Sequence, residues 1–161
     1  MAGKHAPIEL GKYVEIHGTA MRALERKRMV LPGGGDSLAF DRTPAGLLIA
    51  GRIECVGGVA IDVEKVLSID GEGEGAIVQT ISYTYHAQIK GLGNLLRYCG
   101  PHKDHNCFHH KHSFNLLTGD VVGTLDSIDE ENRPTLAEVI EEACNWYFEH
   151  ASEVESRKIT K

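Results

Sequence analysis

What the chain lacks narrows its class before any motif is read. No apolar run approaches the roughly 20 residues of a membrane-spanning helix, and Met1–Pro7 has no apolar core of a secretory signal. The four cysteines (Cys55, Cys99, Cys107, Cys144) are scattered rather than framed. Reduced thiols in a cytoplasm are therefore expected, with a Cys99–Cys107 bridge left open. Positive charge is not in excess: 17 Lys and Arg against 23 Asp and Glu give −6 with His neutral. That argues against a broad surface for duplex DNA and leaves room for a local basic patch. Also absent are a Cys-x-x-Cys pair, a His-Glu-x-x-His motif and, after the glycine-rich Pro32–Asp36, the Lys-Ser/Thr of a phosphate loop.

What is present fits an ordinary globule of 161 residues, 42% hydrophobic and 25% charged, long enough for one domain with its own core. From Leu47 to Cys99 the apolar positions recur with period two, the mark of half-buried strands. The spacing predicts strands over 47–55, 59–69, 76–90 and 94–99, turned at Gly57-Gly58, Gly71–Gly75 and Gly91–Gly93. On the third strand Ile77, Ile81, Tyr83, Tyr85, Ala87 and Ile89 are expected on the core face, with Thr84, His86 and Gln88 opposite. Pairing Tyr85 with Tyr98 and His86 with Arg97 keeps the guanidinium out of the core, whereas a slip of one residue would bury it. The same parity sets Ile53 against Val63 and Asp62 opposite Thr84, one diagonal step from His86.

Ser113–Leu117 and Val121–Leu125 read as short strands. Thr135 and Glu138 form a capping box that opens a helix of about four turns, apolar at Leu136, Val139, Ile140, Ala143, Tyr147 and Phe148. Thr19–Arg28 is rich in helix formers, with Thr19 as cap. The expected fold is α+β: an antiparallel four- to six-stranded meander with the C-terminal helix on its apolar face and a short N-terminal helix. Residues 1–45 stand apart as an extension, 46–150 form the domain, and 151–161 are a polar tail.

The chemistry concentrates in Arg97–His112, which holds five of the nine histidines and two of the four cysteines. Three readings compete. As a zinc site, Cys99, His102, His105 and Cys107 have plausible reach but lack a second ligand pair. As an acid–base site for RNA, cleavage through the 2′-hydroxyl needs a base, an acid and a cation on the phosphate, and no cofactor. If residues 108–112 are extended, His110 and His112 point to one side and His109 and Lys111 to the other. His110 and His112 are then the expected acid–base pair with His86 helping, Arg97 and Lys111 bind the phosphate, His109 and Tyr98 also contact substrate, and Asp62 or Glu64 orients a histidine. The third reading is a polar surface loop.

The run Tyr83-Thr84-Tyr85-His86, then Leu96-Arg97-Tyr98, then His109-His110-Lys111-His112, then Pro134-Thr135-Leu136, resembles TumE-like toxins of toxin–antitoxin pairs over about residues 47–148. The resemblance implies a cytoplasmic toxin neutralised by an antitoxin, usually a helix-turn-helix protein, with ribonuclease action on single-stranded RNA the natural activity. One departure is that Cys99-Gly100 follows Arg97-Tyr98 where the family has Asp-Asn. The reading from a different class is a non-catalytic module whose His/Cys-rich segment binds zinc or a protein partner. Homodimerisation through an edge strand also stays open.

Overall fold

The computed structural model describes residues 5–33, 35–100, 109–128 and 131–160. In chain order the elements are β1 (Ile8–Glu9), α1 (Leu10–Arg26), β2 (Ala39–Thr43), β3 (Gly46–Glu54), β4 (Val59–Asp70), β5 (Ile77–Ile89), β6 (Gly93–Cys99), β7 (His109–Phe114), β8 (Val121–Ile128) and α2 (Leu136–Thr160). The fold is α+β. The strands form one eight-stranded antiparallel sheet in which β2 to β8 follow sequence order as a meander, and β1 pairs with the start of β5.

Both helices cover the same face of the sheet. Met21 and Leu24 of α1 and Val139, Ile140, Ala143 and Cys144 of α2 pack with Ile53, Ile61, Val63, Tyr85, Ala87, Ile89, Leu96 and Tyr98. Each fully buried aliphatic side chain there contributes about 1.5–3 kcal/mol. The opposite face carries the polar members of the same strands, and neither α1 nor α2 packs on it.

The N-terminal segment, set apart in the sequence, shares this core. β2 is hydrogen-bonded to β3, with Phe40 opposite Ile49. A second apolar cluster of Leu47, Ile49, Leu67 and Val78 is covered by Ile8, Leu10, Tyr13, Leu38 and Phe40. Helix α1 starts at Leu10 rather than near Thr19 because two of its first amides find backbone acceptors elsewhere. Leu10 N–H donates to Ala76 O (2.7 Å) and Gly11 N–H to Glu74 O (2.9 Å). Thr19 is therefore an interior residue of the helix, accepting a hydrogen bond from Arg22.

The capping box at the start of α2 is complete: Thr135 N–H donates to Glu138 Oε1 (3.1 Å) and Glu138 N–H to Thr135 Oγ1 (3.2 Å). Residues 151–160, expected from their polarity to be a tail, are helical and continue α2 beyond a kink at His150. Val154 is fully buried, and Lys158 Nζ donates to Gly57 O at 2.8 Å. Gly57 has φ 68°, and the Tyr147 ring lies where a Cβ would come within 2.2 Å.

One irregularity sets the polar face. The β4–β5 register shifts between Val66 and Leu67, so Val66 pairs with Ser82 but Leu67 with Thr80, and Ile81 is the extra residue. The alternation of β5 therefore inverts at Ile81. Val78 is buried, while Ile77 and Ile81 are 42% and 50% exposed, contrary to the uniform alternation expected from sequence. Past the bulge, Tyr83, Tyr85, Ala87 and Ile89 turn inward as expected.

Candidate functional site

His86 lies directly opposite Asp62, two residues from the expected Asp62–Thr84 pairing: the turn, which sets Asp70 against Ile77, accounts for one residue and the bulge for the other, and Thr84 instead faces Glu64. The β3–β4 pair is likewise displaced by two, with Ile53 opposite Ile61 across the three-residue turn 56–58. Between β5 and β6 the register is the expected one, Tyr85 with Tyr98 and His86 with Arg97. Arg97 in turn faces His112, and His112 faces Thr124. Arg52, Asp62, His86, Arg97, His112 and Thr124 thus form one cross-strand row over six adjacent strands. The row lies on the face opposite α1 and α2.

Its parts are held differently. Arg52 grips Asp62 with two bonds, Nε to Oδ1 at 2.7 Å and Nη2 to Oδ2 at 3.2 Å, and Gln88 Nε2 donates to Oδ2 at 2.7 Å. The bond to Asp62 also raises the pKa of Arg52. The Asp62 carboxylate is thereby fixed by Arg52 and Gln88, and among the described residues no histidine donates to it. Toward the middle of the row, His86 Nε2 and Arg97 Nε are shielded from solvent without a hydrogen-bond partner among the described residues. Such groups cost of order 1–3 kcal/mol each when left unsatisfied. The Phe114 ring stands beside His86, 6.2 Å between centroids. His112 Nδ1 meets Thr124 Oγ1 at 3.4 Å. His110, one row away and opposite Cys99, packs edge-on against His112 at 5.1 Å.

Lys111, His109 and Tyr98 lie on the helix side. Strand alternation points Lys111 and His109 away from His110 and His112, as the extended reading required. Lys111 Nζ donates to Glu142 on α2 at 2.5 Å, and Tyr98 OH donates to the other oxygen of the same carboxylate at 2.6 Å. Burial, followed by this bond, raises the Tyr98 pKa. His109 is buried, with Nδ1 hydrogen-bonded to the Tyr83 hydroxyl at 2.9 Å. Gly100 makes that contact possible, because a Cβ there would come within 2.7 Å of the Tyr83 ring. Glu64 is exposed on the open face between Ala50 and Thr84.

Of the proposed zinc ligands, Cys99 is buried in β6, and His102, His105 and Cys107 lie outside the described residues. Among the described residues no three His, Cys, Asp or Glu side chains converge as a metal site, and no helix is long and apolar enough to cross a membrane.

Arg52, Gln88, Phe114 and Thr124 were not singled out from sequence as site residues. Strand alternation alone gives the face of Arg52 and Gln88, but their place in the row depends on the register of several strands. No protein-family model, curated protein or solved structure matches the chain.

Proposed function

We propose that the helix-free face is the active site of a toxin-type endoribonuclease that needs no metal. The observation that carries the reading is the His86–Arg97–His112 row, with a cation between two imidazoles. At ~4.8 Å per strand step, the histidine backbones stand about 10 Å apart. A phosphate seated over Arg97 would then have an imidazole on either side, the arrangement in-line attack requires.

One neutral imidazole takes the proton of the 2′-hydroxyl as its oxygen attacks phosphorus. The other, protonated, delivers a proton to the departing 5′-oxygen, and the Arg97 guanidinium bonds the non-bridging oxygens. Either histidine can act as the base with the other as the acid. His110, edge-on to His112, positions that ring. Arg52, Asp62 and Gln88 form a fixed polar platform beside His86. The TumE-like motifs over residues 47–148 support the same reading, and with it a cognate antitoxin as partner.

The test is cleavage of single-stranded RNA by the full chain in EDTA. Arg97→Ala, His86→Ala and His112→Ala should each lower the rate about 10²- to 10⁴-fold with unchanged circular dichroism. Undiminished cleavage by the His86→Ala/His112→Ala double variant would remove both histidines from the chemistry. No cleavage by the unmodified protein, together with loss of structure in EDTA, would favour the zinc- or partner-binding module instead.

A further inference from the structure

Two cysteines outside the proposed site meet in the core. Cys55 follows β3, and Cys144 lies on α2; they are 2% and 0% exposed. Cys144 Sγ lies 3.9 Å from Met29 O, the same carbonyl that accepts Val56 N–H at 2.8 Å. Cys55 is itself bridged to Val30 and closed by its amide onto Val59 O at 2.8 Å. The Met29–Val30 segment thus draws both residues into one apolar cluster, where the Cys55 thiol donates to Ile53 O at 3.8 Å.

We propose that Cys55 and Cys144 are an oxidisable pair that closes to a disulfide, tying α2 to the β3–β4 turn. With a low-molecular-weight disulfide as oxidant the step balances. One protein thiolate attacks the oxidant and releases the first small thiol, leaving a mixed disulfide. The second thiolate attacks the protein sulfur of that intermediate and expels the second small thiol. Two protein thiols are oxidised as one small disulfide is reduced.

The environment governs the rate. The neighbouring Cys144 thiol, and then burial, hold the Cys55 thiol above its ordinary pKa, so thiolate is scarce and exchange waits on local opening. Once formed, the bridge closes a loop of about 90 residues, a length for which the unfolded chain loses much of its freedom. Its Cys144 end is two residues along α2 from Glu142, the residue that anchors Tyr98 and Lys111 behind the open face.

The experiment incubates the full chain with glutathione disulfide at pH 8, with and without mild urea, to a constant thiol count. Peptide mapping and thermal denaturation follow. The expected result is a Cys55–Cys144 cross-link, a Tm raised by about 10 °C, reversal by dithiothreitol, and loss of both effects in Cys144→Ser but not in Cys99→Ser. Thiols of Cys55 and Cys144 still alkylatable after the urea incubation would overturn the proposal. So would a cross-link confined to Cys99 and Cys107, or an oxidised protein with a lower Tm.

Discussion

Lys65 offers a sharp test of how the interior is charged. It sits on the helix side of β4 between Ile49 and Tyr83, with Nζ 5.1 Å from the centre of the Tyr13 ring. It has no carboxylate partner among the described residues. Burial first, and the nearby Arg133 second, lower its pKa from 10.5 to about 8. At 1.36 kcal/mol per tenfold change in proton affinity, holding this ammonium in the fold costs roughly 3 kcal/mol.

The sign follows from proton binding. Below pH 8 the lysine is charged in both states and the whole penalty stands. Between about 8 and 10.5 the unfolded chain binds more protons, so stability rises with pH. Replacing Lys65 by Met removes the penalty but also the contact with Tyr13, worth about 1 kcal/mol. Lys65→Met should therefore be more stable by about 2 kcal/mol at pH 7, and the gap should narrow by roughly that amount at pH 9.5. Urea denaturation of both proteins at the two pH values, with matching m-values, measures it. Work above pH 10 is avoided because burial holds the Tyr13 and Tyr85 phenols protonated in the fold, so stability falls there as the unfolded phenols ionise. A variant no more stable than the parent at pH 7, or a gap independent of pH, would refute the reasoning.

Three further outcomes are expected. Gly100→Ala should push the Tyr83 ring off β6 and break its bond to His109, costing about 1–3 kcal/mol and lowering the Tm; an unchanged Tm would mean that the ring has room to move. Glu142→Gln leaves the Lys111 ammonium without its anion, and because both groups are partly solvated the loss should be about 1–2 kcal/mol in urea titration. Thr135→Ala dismantles the capping box and should cost about 1 kcal/mol by the same assay, with Thr135→Ser recovering most of it.

The polar row shows how legibility divides. His86 opposite Arg97 could be read from sequence because one face of β5–β6 is buried, and a one-residue slip would place a guanidinium in the core. The capping box at Thr135 was equally legible, since its bonds span only three residues. Asp62 opposite His86 was not, because that pairing depends on the bulge at Ile81, where the apolar pattern continues without a break while the backbone gains a residue. The start of α1 was hidden for a similar reason. The acceptors of its first amides, Ala76 O and Glu74 O, are more than sixty positions away.

The sequence by itself determined the fold class, the face on which His86 and Arg97 lie, and the opposed directions of His110 and Lys111. Each follows from a local period and from the cost of burying charge. The tertiary structure decided which residues share a row, which carboxylates are already engaged, and that Cys55 meets Cys144. Those are contacts between segments far apart in the chain, fixed by the accumulated registers of successive strands and by the packing of two helices on one side of the sheet.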